Sequence, residues 1–161
     1  MNSKIKVARL SIASNSFLIV IKLLAGLFSG SVSVISEAIH SGMDLVAALI
    51  AFFSVRISDR PADSKHPYGH GKFENVSGVI EAVLIFIAAV WIILEAVRKL
   101  LHQSDVEKIH LGLIVMAISA LVNFLVSGKL YKIAKATDSI ALEADARHLK
   151  TDVYTDRKSV V

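Results

Sequence analysis

The stretch that decides the fold runs from Val32 to Val55 and reads VSVISEAIHSGMDLVAALIAFFSV. Its only ionisable residues are Glu37, His40 and Asp44. A helix needs about 20 mainly apolar residues to cross the hydrocarbon core of a bilayer. An isolated strand would leave its backbone polar groups unpaired in lipid. The stretch is therefore predicted to be a transmembrane helix.

Four further apolar segments flank this one. The chain has 161 residues, 54% of them hydrophobic, and its mean hydropathy of +0.60 exceeds that of ordinary soluble domains. The predicted fold class is therefore all-α, a polytopic transmembrane helical bundle with five apolar segments, of which the fifth is cut short. The other four are Val7–Phe28, Phe73–Leu94, Leu111–Tyr131 and a segment that begins near Ser139.

The basic residues predict an orientation. Lys and Arg concentrate in short cytoplasmic loops of membrane proteins. If the N-terminus is cytoplasmic, the loop residues Arg98, Lys99 and Lys108 lie on the outer side of the membrane, and the other basic loop residues lie on the cytoplasmic side. We therefore expect an integral protein of a bacterial inner membrane, and we interpret the net charge of +4 as loop charge rather than as a nucleic-acid surface. The residues then assigned to the cytoplasm are Lys4, Lys6, Arg9, Arg56, Arg60, Lys65, Lys72, Lys129, Lys132 and Lys135.

A His-x-x-x-Asp pattern occurs twice in apolar surroundings, as His40–Asp44 and as His148–Asp152. Residues four apart share one face of a helix. Two such helices facing each other would offer two imidazoles and two carboxylates, a tetrahedral set for Zn²⁺, Co²⁺, Cd²⁺ or Fe²⁺. The alternative is two simple hydrogen-bonded pairs, one inside each helix. Because ionisable residues in membrane segments usually mark an ion pathway, the pattern favours a metal site.

A second candidate metal cluster lies in the stretch ADSKHPYGHGKFE, as Asp63, His66 and His70, with Glu74 as a further candidate. Its Pro and Gly residues predict a loop that leads into a helix. The alternative is a solvated loop whose histidines titrate near neutral pH. The chain has no cysteine, so any metal must be held by His, Asp or Glu.

Four more polar residues lie in the apolar segments. Asn15 is expected to hydrogen-bond a neighbouring helix. Glu81 is expected to pair with Lys22 or to hydrogen-bond another helix, and Lys22 could instead extend to the membrane surface. Asp145 lies three residues before His148 and shares its helical stripe, either as a residue that orients the imidazole or as a solvated residue near the helix end.

Three motifs together resemble the membrane half of the cation diffusion facilitator transporters: SVSVISEAIHSGMD, HPYGHGKFE and SIALEADARHLKTD. The resemblance covers residues 1–155 and implies six membrane helices, a homodimer and a C-terminal cytoplasmic domain that this chain lacks. It implies proton-coupled export of a divalent metal from the cytoplasm. The transport site would be His40, Asp44, His148 and Asp152, and the loop site Asp63, His66 and His70.

The metal preference is an expectation from the same resemblance. Many relatives carry Asp where this chain has His40, and the His form is similar to a zinc-preferring branch. One carboxylate fewer disfavours oxygen-seeking ions such as Mn²⁺. Zn²⁺ is therefore the expected cargo, no organic cofactor is expected, and the protein is not expected to be an enzyme.

Residues 156–161, DRKSVV, depart from the pattern because three ionisable residues interrupt the expected apolar continuation. We interpret them as a non-native tail, and we exclude Asp156 from the site. Two competing functions stay open at this point. A membrane-embedded metal-dependent hydrolase would keep one coordination position open, although the chain has no HExxH motif. A metal-sensing or assembly subunit would bind metal without transporting it.

Overall fold

The structure, a computed structural model, describes the backbone of residues 3–101 and 109–159. Side chains are described in these ranges except at 32–33, 95–96, 99–101, 109–111 and 154–159. Every apolar segment lies within a helix, which confirms the all-α prediction for the described ranges. The helices are α1 (Ser3–Ser29), α2 (Val32–Ser58), α3 (Lys72–Leu101), α4 (Ile109–Thr137) and α5 (Ile140–Ser159).

The helices are longer than the apolar segments that predicted them. The connection between the apolar segments that end at Leu94 and begin at Leu111 is shortened at both ends, because α3 continues to Leu101 and α4 begins at Ile109. The rest of that connection, 102–108, lies outside the described residues. The backbone of α5 stays helical as far as Ser159.

Four helices are long and apolar enough to cross a membrane, and their spans are Ser3–Ser29, Val34–Ser58, Lys72–Leu94 and Gly112–Thr137. Large apolar side chains cover their outer faces, among them Phe17, Leu27 and Phe86, which are more than half exposed. A soluble protein rarely exposes so much contiguous apolar surface. The chain is therefore an integral membrane protein whose outer faces contact lipid.

The hairpin between α1 and α2 is tight. Gly30 adopts a positive φ of 69°, which glycine tolerates without a steric penalty. Ser31 then caps α2 by accepting a hydrogen bond from the Val34 amide at 3.4 Å. A Cβ atom on Gly26 would lie 2.7 Å from Cγ1 of Ile35. The small residue lets the two antiparallel helices approach closely, as membrane helices do at glycine positions.

The five helices alternate in direction, and α5 packs against α2, α3 and α4. The end of the bundle at which α1, α3 and α5 begin is called here the amino end. Near it, Leu142 and Leu149 of α5 are fully buried against Ala8 of α1, Ala51 of α2 and Leu130 of α4. This central position explains how α5 is buried although it is less apolar than the four spanning helices.

A polar cluster, called here the amino-end clamp, joins four helices. The Lys4 ammonium lies 3.1 Å from Oε1 of Glu74 and 3.7 Å from a carboxylate oxygen of Asp59. The Ser139 hydroxyl donates to Oε2 of Glu74 at 2.5 Å. Ser139 also caps α5, accepting from the Leu142 amide at 3.5 Å. The clamp thus fixes the starts of α1, α3 and α5 and the end of α2 relative to one another.

Candidate metal site

Four side chains from α2 and α5 meet in the interior of the bundle. His40 and Asp44 come from α2, and His148 and Asp152 come from α5. Asp44, His148 and Asp152 are buried, and His40 is partly buried. Both His-x-x-x-Asp pairs predicted from the sequence therefore face each other across one helix–helix contact.

The four side chains pair across the two helices. Nε2 of His148 lies 3.1 Å from Oδ1 of Asp44, and Nε2 of His40 lies 3.7 Å from Oδ1 of Asp152. Within α5, Nε2 of His148 is 4.0 Å from Oδ2 of Asp152. The shorter contacts thus join the imidazole of each helix to the carboxylate of the other, which is not the arrangement of two separate pairs inside single helices.

These distances are close to those that a tetrahedral ion requires. Zn–N and Zn–O bonds of about 2.0 Å place the ligand atoms about 3.3 Å apart. Ligand atoms of His40, Asp44 and Asp152 already lie within 4.8 Å of one another, and His148 is joined to two of these residues. Movements of about 1 Å, well within side-chain freedom, would bring the four ligand atoms around one ion.

Neighbouring side chains hold this part of α2 in place. The Asn15 amide of α1 donates to the Asp44 carbonyl at 3.3 Å, as expected for a residue that bonds helices together. The buried Lys22 ammonium donates to the Ser41 hydroxyl at 2.9 Å and lies 3.4 Å from a Glu37 oxygen. Lys22 does not pair with Glu81. That sequence expectation was wrong, because Lys22 reaches α2 and Glu81 lies on α3.

A cavity of about 230 Å³ borders three of the four side chains. His40, His148 and Asp152 line one wall, and α3 contributes residues from Ile85 to Ile93. Those α3 residues come 11 to 19 positions after Glu74 of the clamp, so the cavity lies deeper in the bundle than the clamp, at the depth of the site. One water molecule takes up about 30 Å³ in the liquid, so the cavity has room for an ion with several water molecules.

The loop between α2 and α3 brings the second predicted set together. Oδ1 of Asp63 lies 3.2 Å from Nδ1 of His66, and Oδ2 lies 3.5 Å from Nε2 of His70. The ligand atoms of all three residues lie within 4.8 Å of one another. The two imidazole rings are 4.5 Å apart, and the buried Nδ1 of His70 has no hydrogen-bond partner in the described part of the chain.

Backbone amides organise this loop. The His66 amide donates to Oδ1 of Asp63 at 2.7 Å, and the Lys65 amide donates to the same oxygen at 2.9 Å. Both bonds hold the pKa of the Asp63 carboxyl below its usual value, and the bond from the His66 amide has the larger effect. A lowered pKa keeps the carboxylate charged, and able to bind a cation, to a lower pH than an ordinary Asp.

Glu74, considered above as a further ligand of this loop, is not part of it. Its two oxygens are engaged by Lys4 and Ser139 in the amino-end clamp. Glu74 is the first acidic residue of α3, and its side chain is directed toward the starts of α1 and α5. The expectation that Glu74 joins the loop site was wrong, because spacing along the chain does not show in which direction a side chain in the first turn of a helix points.

Comparison with known proteins shows the family to which the chain belongs. Residues 8–161 match the family described as the cation efflux transmembrane domain. The uncharacterized transporter sll1263 of Synechocystis sp. is 38% identical over 141 residues, which is 88% of this chain and 46% of the relative. The cation-efflux pump FieF of Shewanella oneidensis is 34% identical over 147 residues, or 91% and 50%. The uncharacterized transporter MJ0449 of Methanocaldococcus jannaschii is 32% identical over 146 residues, or 91% and 52%.

The chain belongs to the cation efflux family, the cation diffusion facilitator transporters that its motifs resemble. It spans about half the length of these curated relatives. The family consists of transporters that move divalent metal cations and not of enzymes. The hydrolase alternative therefore has no support from these relatives.

Proposed function

We propose that this protein transports Zn²⁺ out of the cytoplasm in exchange for protons. The observation that carries the proposal is the pairing across α2 and α5, with His148 3.1 Å from Asp44 and His40 3.7 Å from Asp152. Two neutral imidazoles and two carboxylates suit Zn²⁺ and also accept Co²⁺, Cd²⁺ and Fe²⁺. The four side chains would bind the transported ion directly and release it when the two helices separate.

Proton exchange follows from the ligand chemistry. Metal binding requires a neutral imidazole and an ionised carboxylate, so protons compete with the metal for every ligand. At the near-neutral pH of the cytoplasm, Zn²⁺ would bind and displace protons. On a more acidic outer side, protons would displace Zn²⁺. His40 and His148 would carry much of this competition, because an imidazole that holds a proton on its ligand nitrogen cannot bind the ion.

The positions of the cavity and of the clamp are compatible with a transport cycle. The cavity borders His40 and His148 deep in the bundle, whereas Lys4, Glu74 and Ser139 join helices at the amino end. With a cytoplasmic N-terminus, we propose that this is the state in which the site is closed to the cytoplasm. We propose that the clamp opens in the opposite state of the cycle. We also propose that the protein is a homodimer in a bacterial inner membrane, which its oligomeric state in detergent would check.

The test is Zn²⁺ flux in sealed vesicles. Purified protein is reconstituted, an inside-to-outside pH difference is imposed, and Zn²⁺ and internal pH are followed with two dyes. We expect Zn²⁺ to move against the proton flow, and we expect the flux to stop when the pH difference is removed by an ionophore. Tight Zn²⁺ binding without any flux would contradict transport and would favour a metal-sensing or assembly subunit.

His40→Asp should keep transport but broaden its metal range. The substitution replaces one of two imidazoles with a carboxylate, and oxygen ligands suit Mn²⁺ better than imidazole does. We expect Mn²⁺ flux relative to Zn²⁺ flux to rise by about tenfold, on the basis that one ligand contact changes affinity by roughly 1–2 kcal/mol. Competition between the two ions in the same vesicles measures this ratio. An unchanged ratio in a variant that still transports Zn²⁺ would contradict the role of His40.

We further propose that Asp63, His66 and His70 bind a second ion in the loop. His70→Ala should lower the number of Zn²⁺ ions bound per chain by about one, because three ligands become two. Lys65→Ala is the matched control, since it removes an exposed side chain and keeps the amide that contacts Asp63. Equilibrium dialysis at pH 7 gives the count. Equal counts in His70→Ala and the parent protein would exclude the loop site.

The same loop site has a defined pH dependence. The Asp63 pKa lies below its usual value in the folded loop. Ionised Asp63 therefore contributes fully to the stability of the loop at pH values above the usual Asp pKa. This contribution is lost only as the pH falls through the lowered pKa of the folded loop. As the pH is lowered, Asp63 should therefore remain an ionised ligand to a lower pH than an ordinary Asp. Equilibrium dialysis of Zn²⁺ at a series of pH values, compared between the parent protein and Asp63→Asn, measures this contribution.

A further inference from the structure

Two carboxyl groups are completely buried near the four-ligand site and take no part in it. Glu81 of α3 and Asp145 of α5 each have no exposed surface. Neither carboxyl oxygen of Glu81 has a hydrogen-bond partner in the described part of the chain, and those of Asp145 have no well-aligned partner, with only the Ser11 hydroxyl facing them. Burying an ionised carboxylate without a partner costs several kcal/mol or more. These two residues therefore require an explanation that packing alone does not supply.

The two carboxyl groups lie at the same depth in the bundle. Glu74 and Ser139 form a hydrogen bond in the amino-end clamp, and α3 and α5 run in the same direction from there. Glu81 follows Glu74 by seven residues and Asp145 follows Ser139 by six, so both lie about 10 Å deeper at 1.5 Å per residue. The helices α3 and α5 pack against each other, so the two carboxyl groups lie close enough to interact electrostatically.

The surroundings supply little positive charge to balance them. The ionisable groups that act on Asp145 are His148 and Asp152 of its own helix and Asp44 of α2, together with Glu81 of α3. The facing residue of α1 is Ser11, which is neutral. The lysines of α4 are exposed. Among the described groups that act on Asp145 and Glu81, only His148 can carry a positive charge, and it already lies 3.1 Å from Asp44.

Two neighbouring buried carboxyl groups cannot both stay ionised, and one proton held between them removes one of the two negative charges. A proton needs a single O–H···O contact, whereas a metal ion needs several ligands and space for them. The described side chains that can gather around an ion are those of the site and of the loop. A proton is therefore the better occupant of this position.

We propose that Glu81 and Asp145 form a buried proton-binding site that releases its proton when a metal ion occupies the four-ligand site. Asp145 lies one turn before His148 on α5, so a divalent cation at His148 would stabilise the ionised form of the pair. The released proton adds to those displaced from the ligands themselves. The inference rests on the proposed function, because it requires a metal ion at that site.

The test counts protons released as Zn²⁺ binds. Calorimetric titration of Zn²⁺ into the purified protein, repeated in buffers with different ionisation enthalpies, gives the number per ion. Glu81→Gln keeps the shape of the side chain and cannot ionise. We expect it to bind Zn²⁺ within about threefold of the parent protein but to release about one proton fewer per ion at pH 7. Asp145→Asn should give the same loss.

Glu143→Gln is the matched control. Glu143 also lies on α5, but it forms surface ion pairs with Arg147 at 2.7 Å and Lys135 at 3.1 Å. It should release as many protons as the parent protein. An equal proton count in Glu81→Gln and the parent, with Zn²⁺ binding intact, would overturn the proton site and leave the metal site standing. Failure of the parent protein to bind Zn²⁺ would instead contradict the proposed function.

A second measurement needs no variant. The infrared difference spectrum of the parent protein on addition of Zn²⁺ should show loss of a protonated carboxyl band, with the deuterium shift typical of such a group. If Glu81→Gln does not fold, this spectrum decides the question. No loss of a protonated carboxyl band at any pH at which Zn²⁺ binds would overturn the proposal.

Discussion

Asp152→Ala is expected to abolish Zn²⁺ transport. The Asp152 carboxylate is the group that approaches both histidines, with Oδ1 3.7 Å from His40 and Oδ2 4.0 Å from His148. Its loss would leave three ligands and remove one of the two negative charges that neutralise the ion. Residues that only orient ligands change metal affinity by about 10- to 100-fold, so loss of a direct ligand should exceed roughly 100-fold. Vesicle flux and calorimetric Zn²⁺ affinity measure the two effects.

Two comparisons make the Asp152 experiment decisive. Asp152→Asn keeps the size of the side chain and removes its negative charge. Because the Asp152 carboxylate is expected to bind the ion through that charge, this variant should also lose transport. Glu143→Ala removes a carboxylate from the same helix, at a surface position paired with Arg147, and should transport normally. Full activity of Asp152→Ala would show that the site has been assigned to the wrong residues.

The second large effect is expected at the amino end, where Glu74→Ala should destabilise the fold. Glu74 is buried and accepts hydrogen bonds from Lys4 at 3.1 Å and Ser139 at 2.5 Å. Breaking a buried ion pair costs about 3–5 kcal/mol. Because the Lys4 side chain is 15% exposed, we expect a smaller decrease in the free energy of unfolding, of about 2–4 kcal/mol. Unfolding in mixed detergent micelles measures it.

A double-mutant cycle separates the contacts of Glu74. If the Lys4 contact dominates, Lys4→Ala should cost less in the Glu74→Ala background than in the parent protein. Glu143→Ala serves as the control for a surface ion pair and should change the free energy of unfolding by less than about 1 kcal/mol. A Glu74→Ala variant as stable as Glu143→Ala would mean that the clamp does not hold the helices together.

The helices and the meeting of α2 with α5 could be predicted from the sequence for a simple physical reason. Hydropathy reports how much apolar surface a segment offers to lipid, and that property belongs to each segment alone. The spacing of His40 and Asp44 is likewise local, because a helix puts residues four apart on one face. The same pattern recurs at His148 and Asp152. A site with four ligands could therefore be predicted on the single assumption that the two helix faces meet.

Contacts that depend on the rotation of one helix against another could not be predicted. Lys22 binds Ser41 and lies near Glu37, and Glu74 bonds Ser139, 65 residues away in the chain. Each of these polar groups had several partners of suitable charge at similar depth. Only the packing of small residues such as Gly26, which sets how closely α1 and α2 approach, selects one partner from among them.

The interpretation of residues 156–161 as a non-native tail remains our proposal. These residues lie within the part of the chain that matches the family, which extends to residue 161, and their side chains are outside the described residues. Re-sequencing the source gene beyond the codon for Thr155 tests it directly. A reading frame that continues into another apolar helix would support the proposal, and a frame that stops after Val161 would contradict it.

The pairing of each imidazole with the carboxylate of the other helix has a mechanical consequence. A shift of α5 along α2 by one turn, about 5.4 Å, would separate His148 from Asp44 and His40 from Asp152 at the same time, since both contacts join the same two helices. A bound ion would oppose that shift by cross-linking the two helices. The loaded protein should then be stiffer than the empty one, and the cargo itself would determine when α2 and α5 are free to slide.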